Sequence, residues 1–121
     1  MTLHTQIGEQ LVTEFGERLA DLPHATHDAL DVRFDTGLAL QIRYPNLDEY
    51  SLRWSYRERT LGIDTAPLHA EIDSFPNHLH DHDGQIRADR HTRPGRPAWD
   101  NLRPLIAALL LDPWLNNASS D

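Results

Sequence analysis

The chain has no cysteine and no lysine, and only one methionine among its 121 residues. The missing cysteine removes disulfides, thiolate nucleophiles and Cys-ligated zinc together. Small secreted domains are commonly stapled by disulfides, so the expected home is the cytoplasm. The missing lysine removes Schiff-base and P-loop lysine chemistry; all 11 basic residues are arginine. No apolar run approaches the ~20 residues that a bilayer span needs. The longest, Leu105 to Leu111, reads as the buried side of a helix. At the N-terminus no basic region precedes an apolar stretch, so no secretory signal is read. A net charge of −8 argues against a general nucleic-acid binder, because phosphates would be repelled by the averaged surface. Positive charge is nevertheless concentrated between Gln85 and Pro97, where Arg87, Arg90, Arg93 and Arg96 face the single acid Asp89.

What remains is ordinary globular material. Hydrophobic residues make up 39% and charged residues 25%, which places residues 1–121 in one domain. At this length a chain hides roughly two thirds of its unfolded surface, enough for a real core.

The hydrophobic pattern changes period along the chain. Leu3, Ile7, Leu11, Phe15 and Leu19 recur every four residues, with Val12 and Leu22 widening the stripe. This predicts a helix capped by Thr2 and ending near Asp21 or Leu22, before Pro23. Period two follows in Leu30, Val32 and Phe34, again in Leu38 to Tyr44, and again in Tyr50 to Tyr56. Asp35-Thr36-Gly37 reads as a hairpin loop, and a turn at Arg57 to Thr60 leads to a fourth strand with Leu61 and Ile63. From Thr65 to about Gly84 the periodicity fails, with Ile72, Phe75 and Leu79 as expected core anchors. Ile86 reads as part of a short strand, and Arg90 to Pro97 reads as a linker or flap. A last helix is predicted over Asn101 to Leu111, with Asp100 as N-cap and Pro104 in the first turn. Asn116 to Asp121 reads as a frayed tail. The expected class is α+β: an N-terminal helix, a four-stranded antiparallel meander, an irregular His-rich loop and a C-terminal helix. Both helices would lie on one face of the sheet, leaving Arg33, Gln41, Arg43, Arg53, Ser55 and Arg57 on the other.

Four of the 8 histidines, His69, His78, His80 and His82, fall in the irregular loop. In extended chain His78, His80 and His82 point the same way. With Asp64 and Glu71 nearby, such imidazoles can act as general acid and base near neutral pH. The same residues suit a divalent metal such as zinc or manganese, with His69, His78, His80 and His82 as ligands. The spacing matches neither a metallo-β-lactamase, since Asp81 follows His80 directly, nor a cupin, since Gly84 stands where its Glu would. For any single one of these histidines, a solvated or backbone-pinned loop residue is an equally good reading. Trp54, Tyr50 and Tyr56 read as core or sheet-face residues.

One pattern is more specific than spacing. Asp64, Ala66, Pro67, His69, Glu71, Phe75, Pro76, His78 and His80 resemble the TumE family, whose Tyr-rich strand precedes a segment D-N-A-P-H-H-P-E…T-F-P-H-H-K-H. Leu68 stands in place of the first family His, and Asn77-His78-Leu79 replaces His-His-Lys. The resemblance implies a toxin paired with an antitoxin, the partner expected to be a helix-turn-helix protein. By analogy with other small toxins it implies a metal-independent ribonuclease acting on RNA. His69, His78 and His80 would then move protons, Asp64 or Glu71 would orient an imidazole, and Arg43 or an arginine of 87–96 would steady phosphate charge. No cofactor is needed for that reading. A metal-dependent hydrolase using the four loop histidines, and a non-catalytic interaction domain with an eroded site, are the alternatives.

Overall fold

Alternation of apolar and polar residues on successive strands forces one sheet face against a cover and leaves the other open. The structure, a computed structural model, describes residues 2–116. Its order is α1 (Leu3–Phe15), a 3₁₀ turn (Gly16–Arg18), β1 (His24–Ala25), β2 (Leu30–Arg33), β3 (Ala39–Asn46), β4 (Glu49–Tyr56), β5 (Arg59–Asp64), β6 (His78–His80), β7 (Ile86–Ala88) and α2 (Ala98–Leu111). All seven strands form one antiparallel meander, each beside its neighbours in the chain. Ile7 and Leu11 of α1 and Leu102, Leu105, Ile106 and Leu109 of α2 share a core with the inward residues of the sheet. Both helices therefore cover the same face. Among the described residues no helix is long and apolar enough to cross a membrane.

The α+β class and the helices-on-one-face arrangement hold, while the four-stranded meander becomes a seven-stranded one. The added strands are two or three residues long, too short to show an alternation. Helix α1 is capped as expected, with Thr2 Oγ1 accepting from Thr5 N at 3.1 Å. It stops at Phe15 rather than near Asp21, because Leu19 leaves helical geometry to bridge Phe34. Val12 and Leu22 are exposed and do not widen the buried stripe. The turn between β4 and β5 is a two-residue loop with Arg57 (φ 48°) and Glu58 (φ 68°) both left-handed, the geometry that usually recruits Asn-Gly. Helix α2 begins at Ala98 behind Pro97, so Asp100 lies in the first turn rather than capping it. Pro104 consequently sits inside the helix and leaves the Asp100 carbonyl without its i+4 donor. Of the expected tail, residues 117–121 lie outside the described residues.

The segment between β5 and α2 is tied down by buried polar groups rather than by apolar anchors. Leu79 enters the core, Ile72 is half-buried, and Phe75 is exposed, contrary to its expected role as an anchor. Asn77 donates to Asp89 Oδ2 (2.8 Å) and to the Thr92 carbonyl (2.9 Å), and Thr92 Oγ1 meets the Tyr50 hydroxyl at 2.6 Å. Tyr50 stacks on Tyr44 with ring centroids 4.8 Å apart. Tyr44 in turn takes a hydrogen bond from Asn101 Nδ2 at 2.9 Å. Burial pushes both phenols above their ordinary range, so both act as neutral hydroxyls. Residues 90–97 are no free flap. Asn101, fully buried, accepts from Arg93 N and donates to the Arg93 carbonyl, and Gly95 N donates to the Leu47 carbonyl.

Asn101→Ala would strand the Tyr44 hydroxyl and both backbone groups of Arg93. An unmatched buried group costs about 1–3 kcal/mol. The Tyr44 hydroxyl is buried while the two Arg93 groups are part-buried and can turn to water, so a loss of about 2–4 kcal/mol is expected in urea unfolding. Arg103→Ala, which removes only an exposed ion pair to Glu14, should cost less than about 1 kcal/mol.

Candidate functional site

On the open face the ladder places residues in cross-strand rows. One row runs Arg43, Ser51, Asp64, His78, Ala88 from β3 to β7, and the next runs Gln41, Arg53, Gly62, His80, Ile86. Asp64 thus ends β5 directly opposite His78, and His80 stands two residues along β6 on the same face. Three side chains converge there. His78 Nε2 and His80 Nε2 are 3.1 Å apart, His78 Nε2 is 3.2 Å from Asp64 Oδ1, and His80 Nε2 is 3.2 Å from Asp64 Oδ2. Asp64 is held in turn by the Ala66 amide, which donates to Oδ1 at 3.0 Å.

The tautomer of His78 follows from its other nitrogen. Nδ1 lies 3.2 Å from the Pro76 carbonyl, which can only accept, so Nδ1 carries a proton. In a neutral His78 ring Nε2 is then a lone pair aimed at a carboxylate oxygen and at a second imidazole. His80 can donate its own Nε2–H into the cluster, but the contact between His78 Nε2 and Asp64 Oδ1 still pairs two acceptors. One further positive species, a proton or a cation, is required between them. His78 is buried and His80 has its side chain 42% exposed, so His80 faces incoming molecules.

Two features around the cluster set its position. At one end of β6, the Asn77 network fixes the chain entering the strand. At the other, Asp81 makes the β6–β7 turn: its Oδ1 accepts from Asp83 N and Gln85 N, its Oδ2 pairs with Arg87 Nε at 2.5 Å, and Gly84 takes φ 81°. Asp81-x-Asp83-Gly84 is a turn signal that the surrounding irregularity hides. Burial alone would raise the Asp81 carboxyl. Arg87 and the two backbone amides outweigh it and hold the group below its usual range.

The other expected site residues are distributed unevenly. His69 joins the cluster from outside, its ring edge-on to His78 at 4.9 Å between centroids, with Glu71 3.7 Å from its Nδ1. Arg43 shares Asp64's row but stands two strands away, about 10 Å at the ordinary strand spacing. It lines a separate groove with Thr2, His4 and Asp28. His82 lies beyond the end of β6 and turns toward Trp114, its ring centroid 6.0 Å from the indole. Its buried Nδ1 finds no partner among the described residues.

Arg53 and Gly62 were not singled out from sequence as site residues. They flank a groove of about 240 Å³ that also contains Ser51, Thr60, Asp64 and His80. Gly62 lies between Arg53 and His80 in this groove, and a Cβ there would press on β4, standing 3.1 Å from the Leu52 carbonyl oxygen. Knowing that the β4–β5 loop has two residues fixes this register, but Arg57-Glu58 carries none of the usual residues of such a loop.

A family model described as toxin TumE matches residues 6–110, a span that includes all seven strands and the convergent cluster. No curated protein and no solved structure matches the chain.

The Asp81 carboxyl is lowered on folding, so its contribution to stability is present above the unfolded carboxylate range and lost as pH falls through the folded value. Acid titration of unfolding free energy should therefore show a shallower loss below about pH 4 in Asp81→Asn than in the parent chain. Parallel curves for the two proteins would refute that assignment.

Proposed function

The chain belongs to the TumE family of toxins and is the toxin component of a toxin–antitoxin system; from that premise we propose that it acts by cleaving RNA at the Asp64–His78–His80 centre. The supporting observation is the meeting of two imidazole nitrogens and a carboxylate within 3.2 Å on an open sheet face. His80, the exposed imidazole, removes the proton from a ribose 2′-hydroxyl, and the freed oxygen attacks the adjacent phosphorus. Asp64 balances the positive charge that His80 acquires. The separation between His78 and His80 is too short to admit a phosphate between the rings, so these two work as one proton-carrying unit. His69 is the second imidazole available to protonate the departing 5′-oxygen. Arg53, two strands from His80 across Gly62, lines the same groove as His80 and Asp64 and is the guanidinium proposed to steady the phosphate charge. The partner is an antitoxin, for which a helix-turn-helix protein is the proposal.

The convergence of lone pairs favours a second reading of the same centre, in which Asp64, His78 and His80 hold a divalent cation such as zinc or manganese. Donors about 2.1 Å from a common ion lie roughly 3.0–3.4 Å apart, which the 3.1 and 3.2 Å separations match. The His78 Nδ1–H to Pro76 carbonyl bond is the outer contact that orients a metal-binding imidazole. Three protein ligands with one side open is the arrangement of a catalytic rather than a structural site. His82 would not take part.

Purified chain should degrade RNA in the presence of EDTA, and His80→Ala should slow cleavage by about 10²–10⁴-fold. Undiminished cleavage by His80→Ala would refute the assignment. Activity abolished by EDTA and restored by zinc or manganese, with one ion bound per chain and loss of binding in Asp64→Asn, would select the metal-centred reading over the metal-free one.

A further inference from the structure

We propose that the cleft lined by Phe75, Arg90, Arg93 and Arg96 is where a single-stranded RNA is gripped beside the bond to be cut. This rests on the cleavage reading above and assigns its substrate-holding surface. The cleft encloses about 660 Å³ and is lined by residues 73–77 on one side and 88–94 with Arg96 on the other. That volume falls within the range of about 300–1,000 Å³ typical of ligand clefts.

Its location ties it to the cluster. Ala88 lines the cleft and is the ladder partner of His78 on the open face. Pro76 lines it too, and its carbonyl holds His78 Nδ1. The cleft therefore begins one residue from the converging imidazoles, while the groove with Arg53 and Gly62 lies on their other side. A chain crossing from one to the other passes over His80.

Its charge is available. Arg18, Arg33, Arg59, Arg87 and Arg103 each face a carboxylate, whereas Arg90, Arg93 and Arg96 form no ion pair among the described residues. Asp89, the acid nearest in sequence, is turned inward and saturated. Its oxygens accept from Asn77, from the Thr92 hydroxyl and from the amides of His91 and Thr92. Asp73 is the remaining acid of the lining, so the cleft is a positive site on a chain of net charge −8. Phe75 adds an exposed aromatic ring to this wall, a surface on which an unpaired base can stack. Guanidinia with an open aromatic ring fit a flexible nucleic-acid strand better than an acidic peptide, which has no use for a stacking platform.

The test is fluorescence anisotropy with a short labelled single-stranded RNA carrying 2′-O-methyl riboses, which cannot be cut through a 2′-hydroxyl. The full chain, Arg90→Gln/Arg93→Gln, Phe75→Ala and Arg103→Gln are compared across a salt series, with thermal melts confirming that each is folded. The double variant should bind about tenfold or more weakly, with a salt slope smaller by about 1.4 for two lost phosphate contacts. Phe75→Ala should bind about tenfold more weakly with the slope unchanged. Arg103→Gln, which removes an exposed guanidinium that lines neither groove, should bind like the parent. Equal affinity and slope for parent and double variant overturns the proposal even if the parent cleaves RNA. Loss of RNA binding in the double variant, together with a parent that cuts no RNA, would uphold the cleft and fail the cleavage reading instead.

Discussion

The pairing of β6 with β5 is the constraint on which the site depends, because only in that register does Asp64 stand opposite His78. A shift by one residue would turn both imidazoles toward the core and Leu79 toward solvent. Three interactions hold the register. Leu79 packs inward opposite Ile63, Asn77 is locked into the Asp89–Thr92 network before the strand, and Asp81 closes the turn after it. A strand of three residues has little hydrogen bonding of its own, so these flanking polar groups replace the length that it lacks.

The same economy explains why an acidic chain can present a positive surface. Asp89 and Asp81 lie in a basic and polar stretch, yet both are buried and spend their oxygens on amides, hydroxyls or one guanidinium. The acids near the cleft are consumed in building the backbone that supports it, leaving Arg90, Arg93 and Arg96 outside. Net charge describes the average field and says little about a site whose counter-charges are turned inward.

The sequence conveyed the longer elements through their periodicity. The rows Leu38 to Tyr44 and Tyr50 to Tyr56 alternate over enough residues to define a strand and its buried side, and every four-residue step from Leu3 to Phe15 marks the first helix. The family resemblance singles out Asp64, His69, His78 and His80, and in the structure Asp64, His78 and His80 meet, with His69 against them. What stayed illegible depended on tertiary context. β6 is too short to alternate, the short strand read at Ile86 gave no hint of its partner, Phe75 looks like an anchor yet faces the cleft, and Arg43 shares a face with Asp64 while lining a different groove. Arg53 needed the register of the β4–β5 hairpin: a turn was legible at Arg57 to Thr60, but Arg57-Glu58 lacks the Asn or Gly that would mark a two-residue loop.

Imidazole ring nitrogens provide the most direct examination of the convergence. Two-bond proton–nitrogen spectra of the intact chain should show His78 protonated at Nδ1, and Asp64→Asn should move the Nε2 signals of both His78 and His80 while leaving His27 and His91 in place. A His78 ring protonated only at Nε2, or Nε2 signals indifferent to Asp64→Asn, would contradict a shared centre.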